Sequence, residues 1–459
     1  METTGRGERR GRGDWRPFLE RWSGEWVDGH GPGADEELVP EVRRDRWLGF
    51  EPAAEAEVAA AEARLGRRLP PSLRDFLLVT NGWRDTGSFI YRLAGAAELA
   101  WLADTDDRDW IEVYEDLAEE GPEETAGDGD EGDDGGWDPV NEARVLRRAL
   151  RLSLEGDAAV MLLDPEDVDA DGEWAGYWLA SWSGEGPQRF GSFYDLMRDM
   201  YVSFHALRQP PGPTRDHWDA EVERARVAAL GGAVDEPLEV FAAAVEYGRQ
   251  RAALLRTQLL GMRGEWEPML LDTVLHVNHD GEPAFQEPLF SAELLPLMVA
   301  QETARGPGAY STVGRLKRDG SAATRAAVMA YEARCAEPGY RLGFGNPEFD
   351  AAVRAISDRL AAEPAFLAAG HPPPRIGPLV IVAETGAAAP RDPVPDYARV
   401  RADRAALLDA AWPELKAAFA WWRPRCEDHI APVVLFADPL IAAIITPERG
   451  AELIATARG

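Results

Sequence analysis

Apolar positions recur at helical spacing through the first half of the chain and give way twice to short uninterrupted apolar runs. An Ala/Glu-rich run over 51–65 predicts a helix, with Pro52 in its first turn and Gly66 just past its end. A second helix is predicted over 71–81. It buries Leu73, Phe76 and Leu77 and is stopped by Gly82 in the left-handed conformation. Residues 88–103 mix short strand and helix signals. Residues 158–163 (AAVMLL) read as a buried strand and 174–182 (WAGYWLASW) as a second, separated by Asp164, Pro165 and an acidic turn. Strand alternation places Trp174, Trp178 and Trp182 on one face and Tyr177 on the other, one face core and the other solvent-facing. An amphipathic helix over 192–207 sets Phe193, Leu196, Met200 and Phe204 near one face. Ahead of all this, residues 1–37 read as a flexible leader with one short helix around Trp15 to Trp26.

QPPGPT at 209–214 marks a linker over 209–217. Beyond it, 218–459 reads as a helix-rich second domain. Leu238, Phe241, Val245, Gly248, Ala252, Leu255 and Leu259 keep a 3-4 spacing, the seam of one long helix whose stripe faces a core. Residues 376–383 (IGPLVIVA) read as a buried strand, and 433–436 with 440–445 as a strand pair.

Composition adds that 459 residues suffice for two or three domains and that 16 tryptophans favour well-filled cores and adhesive surfaces. Charge changes the picture more. A net charge of −32 repels phosphate backbones and anionic bilayers, which argues against nucleic-acid and membrane partners; it suits a basic protein partner and equally suits solubility alone. Half of that charge sits in one insertion, 104–138, with 17 acidic residues and a single basic one, Arg108. Its second part has almost no apolar residue and is expected to be an unstructured loop. Nine of its carboxylates, Glu119, Glu120, Glu123, Glu124, Asp128, Asp130, Glu131, Asp133 and Asp134, are the expected steering charges. Trp83 and Tyr177 are the expected aromatic anchors. Two distant cysteines, Cys335 and Cys426, fit a reducing compartment, and no hydrophobic leader or spanning stretch is visible, so a cytoplasmic location is expected.

Candidate chemistry is thin. HVNHD at 276–280 offers His276, His279 and Asp280, but in a strand residues three apart face opposite ways, and zinc needs three or four converging ligands. GRGERRGRG at 5–13 follows no strand, so it is no phosphate loop. WWRPRCEDHI at 421–430 gathers Trp, Arg, Cys, Asp and His, and reads as a helix-to-strand connection with a buried cysteine. No catalytic residue, metal or cofactor is expected.

The order of a helix, LPPSLRDFLLVTNGW at 69–83, two strands, and RFGSFYDLMRDMY at 189–201 resembles the SUKH superfamily, which includes fungal cell-wall assembly regulators and bacterial toxin-immunity proteins. The resemblance covers roughly 38–208 and departs from the family in the acidic insertion and in the whole second half. It implies an α+β fold with an antiparallel-rich sheet and flanking helices, followed here by the helix-rich α+β second domain. It also implies a non-catalytic immunity-type function, the neutralisation of a toxin, with nucleases among the toxins the family meets. Two other readings stay open: a regulatory or scaffolding module, and an enzymatic activity in the second half.

Overall fold

The computed structural model describes residues 12–30, 39–87, 89–120, 139–183, 186–265, 287–305, 311–367 and 397–458. The chain divides into two compact units, Met1–Asp216 and His217–Gly459.

The first unit is α+β. Helix α1 (Arg12–Gly29) carries aromatic residues every three or four positions, and Trp15, Phe18, Trp22 and Trp26 are all buried. They meet Phe193, Tyr194, Tyr201 and Phe204 of α7 (Phe193–Arg208) at ring-centroid distances of 4.9 to 6.4 Å. The short helix expected around Trp15 to Trp26 is present, runs a few residues further at each end, and forms one side of the core. Helix α2 (Pro40–Asp45) follows. Helix α3 (Glu55–Leu65) begins after Pro52, since the Glu57 carboxylate accepts from the Ala54 N–H at 2.7 Å and fixes the first turn there. Gly66 closes it at φ 71°.

Helix α4 (Pro71–Leu77) is shorter than its apolar pattern, because the chain turns at Leu78 into a knot around Asn81-Gly82. Thr80 Oγ1 donates to the Gly82 carbonyl at 2.7 Å and accepts from Phe50 N–H at 2.8 Å. Asn81 Oδ1 accepts from Ala96 N–H at 2.7 Å. Gly82 stands at φ 109°, where a Cβ would lie 2.9 Å from the Leu93 carbonyl oxygen. The Asn-Gly pair is thus a turn determinant.

Two antiparallel sheets follow. β1 (Trp83–Arg84), β2 (Ile90–Leu93) and β5 (Ser153–Gly156) form one; β3 (Ala100–Trp101), β4 (Leu150–Arg151), β6 (Ala159–Val168), β7 (Trp174–Ala180) and β8 (Gln188–Phe190) form the other. β6 and β7 pair with Leu162 opposite Tyr177 and Met161 opposite Trp178. Helices cover both faces of this pair, which is why AAVMLL is apolar throughout and not alternating. On one face Val160, Leu162, Ala175, Tyr177 and Leu179 pack against α5 (Asp109–Glu120) and α6 (Pro139–Arg148). On the other, Gly176 lies against Leu196 of α7, where a Cβ would come within 3.1 Å. No face of β7 is open to solvent as the alternation alone suggested. Helix α5, inside the acidic insertion, and α6, just after it, account for the second cover.

The described part of the second unit contains helices and helical turns. The long seam is two helices, Asp235–Glu246 and Gln250–Met262, because Gly248 adopts φ 71° and breaks the run. Phe241, Ala252, Leu255 and Leu259 remain fully buried in a core shared with Phe349, Val353, Trp422 and Ile441. The strand pair expected around Asp438-Pro439 is instead a 3-10 turn, Val433–Ala437, and a short helix, Pro439–Ile444. The Asp438 carboxylate accepts from the N–H groups of Leu440 and Ile441 at 2.9 and 3.1 Å, and Pro439 occupies the first helical position. That cap outweighs the strand preference of the β-branched run. The segment 376–383 lies outside the described residues.

A candidate protein-interaction surface

Three turns of the first unit meet at one end of the strands. Residues 150–156 bend from one sheet into the other: β4 pairs with β6, β5 pairs with β2, and Leu152 sits at the bend. The following turn requires Gly156, where a Cβ would lie 2.4 Å from the Ala159 carbonyl oxygen, and holds Ala158 at φ 48°. The turn between β1 and β2 holds Phe89 at φ 63°, a left-handed conformation uncommon for a bulky residue. The turns are laced together, with Asp157 N–H donating to the Phe89 carbonyl at 2.8 Å and Ser181 N–H to the Ala158 carbonyl at 3.0 Å.

This lacing gathers aromatic rings at the surface. The Phe89 and Trp182 rings meet edge-on at 4.8 Å, and Trp178 joins Trp182 at 5.7 Å. Trp182 is 52% exposed, Tyr91 45% and Phe89 37%. Neighbouring large aromatics left in water are unfavourable in a free protein and are the usual anchors of an interface. Beside this rim opens a cleft of about 370 Å³ whose lining includes Tyr91, Asp107, Trp110, Glu155 and Val160.

The electrostatics of this side are negative. The first part of the acidic insertion is ordered: Ile111 and Tyr114 of α5 are buried against α6. Its carboxylates consequently point outward. Asp104, Asp106, Asp109, Glu112, Asp116 and Glu119 are exposed and have no ion-pair partner among the described residues. Asp107 is the exception, held by Arg151 at 2.6 Å, and Glu115 pairs with Arg147.

The expected site residues divide on this geometry. Glu119 lies exposed near the end of α5, and Glu120 ends that helix. Glu123, Glu124, Asp128, Asp130, Glu131, Asp133 and Asp134 lie outside the described residues, as does the 276–280 segment. Trp83 is corrected: it is completely buried against Trp22 and Trp47 at 5.9 and 5.3 Å and cannot reach a partner. Tyr177 is corrected too. It is 8% exposed, and its hydroxyl donates to Asp167 at 3.2 Å. Burial pushes its phenol up to about 12, while hydrogen bonds from Arg189 hold Asp167 below the usual carboxylate range. The exposed aromatics lie instead at strand ends. Trp182 is the third member of the Trp174 face, just past the last hydrogen-bonded pair of β7. Phe89, Tyr91 and Trp110 were missed, although an aromatic residue directly after Gly87-Ser88 in a turn is the signal for the first.

The 421–430 cluster resolves into structure. His429 Nδ1 accepts from the Arg425 N–H at 3.1 Å, so Nε2 carries the proton, 3.2 Å from Glu293. With Nδ1 taken by the Arg425 N–H, its lone pair is not available to act as base for Cys426, whose thiol burial pushes upward. Among the described residues no group of three or more His, Cys, Asp or Glu is placed to hold a metal ion. Among them, too, no helix is long and apolar enough to cross a membrane. Neither cysteine is in a disulfide.

Residues 52–198 match the model of the SMI1 / KNR4 family (SUKH-1), so this part of the chain carries a SUKH-superfamily domain. The family supports a protein-interaction role of the toxin-immunity or regulatory kind. The match starts after α1, although α1 supplies a wall of the domain's core, and it leaves 199–459 uncovered. No curated protein and no solved structure matches the chain.

Proposed function

We propose that the chain is an immunity-type binding protein that neutralises a basic protein, a nuclease toxin domain, by covering its phosphate-binding cleft. The observation that carries this reading is the adjacency of two features on the SUKH domain. Helix α5 presents four unpaired carboxylates, with Asp104 and Asp106 exposed just before it, and a rim of exposed aromatic rings borders the neighbouring cleft. A nuclease must display cationic groups to hold phosphate, and a carboxylate-rich face competes for that surface. Long-range attraction speeds encounter, and buried aromatic contacts then slow departure. Glu119 and Glu120 end α5, and seven further carboxylates, from Glu123 to Asp134, come next in the sequence.

The test is affinity capture from the native cell with three baits: the full chain, a variant with Asp104, Asp106, Asp109, Glu112, Asp116 and Glu119 changed to Asn or Gln, and Trp182→Ala. A basic protein retained by the first bait and depleted on both variants is expected. A partner retained equally by all three would reject this surface as the interface.

A further inference from the structure

The geometry points to the cleft between β5 and α5 as a receptor for a single arginine side chain of the partner, an anchor that rests on the interaction reading above and makes it specific. The cleft has the two components that recognise a guanidinium. Tyr91 and Trp110 line it with aromatic rings, and an arginine stacks on such rings better than a lysine does, because its cation is planar and weakly hydrated. Asp107 and Glu155 supply carboxylates on the same lining. Asp107 spends Oδ2 on Arg151 at 2.6 Å, which fixes its orientation and leaves Oδ1 without a partner among the described residues. The Glu155 side chain is 63% exposed and pairs with Arg92 only at 3.9 Å, a long contact that an incoming cation can replace. The volume of about 370 Å³ is near the lower end of the roughly 300–1,000 Å³ range of pockets that hold whole small ligands. The cleft is also open, which suits a side chain delivered from outside on a protein surface.

Position supports the same occupant. The cleft lies between the acidic helix, whose exposed carboxylates draw in a basic surface, and the Phe89–Trp182 rim, which buries apolar area once that surface has arrived. The domain also uses this contact internally: the Arg84 guanidinium lies 3.8 Å over the Phe50 ring, and that of Arg16 4.7 Å over Trp47.

The experiment titrates the full chain, labelled with 5-fluorotryptophan, with capped Gly-Arg-Gly, Gly-Lys-Gly and Gly-citrulline-Gly, and follows the Trp110 fluorine resonance assigned through Trp110→Phe. The arginine peptide should shift that resonance saturably. Citrulline, the neutral isostere, should bind at least about tenfold more weakly, and lysine should fall between them. Tyr91→Ala and Glu155→Gln, both at exposed side chains that the fold does not need, should each weaken arginine binding by roughly three- to tenfold. A Trp110 signal that ignores the arginine peptide overturns the proposal, and so does one that responds equally to citrulline. Equal affinity for lysine overturns the choice of arginine. The two readings fail separately. Saturable arginine binding alongside capture that ignores the acidic face keeps the anchor and removes the toxin-neutralising function. Capture that needs the acidic face, with no arginine binding, does the reverse.

Discussion

Replacing Trp83 and Trp182 separately by alanine distinguishes a residue that builds the domain from one that its surface presents. Trp83 is fully buried, meets Trp22 at 5.9 Å and Trp47 edge-on at 5.3 Å, and pairs with Leu93 across β1 and β2. Truncating such a ring removes its transfer energy and leaves a cavity, together about 3–5 kcal/mol. Trp182 keeps half its surface in water, with two ring neighbours and a 3.4 Å contact from its indole N–H to the Asp157 carbonyl. Its loss should cost about 1 kcal/mol. In a unit of this size 1 kcal/mol moves the midpoint by about 2–4 °C. Thermal melting of the full chain, followed by near-ultraviolet circular dichroism, should therefore show one transition lowered by about 10 °C in Trp83→Ala. The same transition should fall by no more than about 4 °C in Trp182→Ala. Partner retention should follow the opposite order, lost in Trp182→Ala and kept in whatever Trp83→Ala protein remains folded. A larger destabilisation from Trp182→Ala would refute the assignment of core and surface.

Three further outcomes follow from buried polar groups. Burial pushes the Glu25 carboxyl up, but hydrogen bonds from His205, Tyr201 and the Thr214 N–H outweigh it and hold the group below its ordinary value of 4.5. Because the folded value is the lower one, this stabilisation is complete above about pH 4.5 and is lost as pH falls through the folded value. Glu25→Gln should lower stability at neutral pH by about 1–3 kcal/mol and flatten the acid limb of a urea-midpoint profile. Arg148 and Asp164 form a bidentate pair at 2.7 and 2.6 Å, with Asp164 fully buried. Arg148→Ala should cost about 3–5 kcal/mol by stranding the carboxylate, and Arg148→Ala with Asp164→Ala should recover much of it, as read from denaturant melts. Among the described residues Arg458 has no carboxylate partner; it donates to the carbonyls of Ile430 at 3.0 Å, Ala229 at 2.8 Å and Thr456 at 3.2 Å, and burial pushes its guanidinium down to about 10. Arg458→Lys, which keeps a charge but not the fork, should destabilise the second unit as Arg458→Ala does, by about 2–3 kcal/mol, as read from denaturant melts.

Local rules were readable where one force dominated. Gly66 ends α3 because no competing contact opposes a left-handed residue there, Gly82 takes the left-handed turn although α4 already ends at Leu77, and the β6–β7 pair follows from two apolar runs joined by a polar turn. What escaped the sequence was set by distant packing. Whether Tyr177 or Trp178 faces water depends on α5 and α6 covering one face and α7 the other, and α5 begins inside a segment whose composition reads as loop. Its fold rests on Ile111 and Tyr114, two apolar positions among many acids. The surface rim was illegible for the same reason. Trp182 and Phe89 come together only because three turns are tied by backbone hydrogen bonds. In the second unit Asp438 shows a single cap outweighing a run of strand-forming residues.

The central claim is that an acidic face steers and an aromatic rim holds one basic partner. It is tested most directly by stopped-flow association and dissociation of the chain with the partner its capture identifies, across ionic strength. The association rate should fall steeply with salt. Neutralising Glu119, Glu120, Glu123, Glu124, Asp128, Asp130, Glu131, Asp133 and Asp134 together should lower it roughly tenfold at low salt and flatten that dependence. Trp182→Ala should leave the association rate nearly unchanged and speed dissociation. An association rate indifferent both to salt and to the nine substitutions would contradict the account.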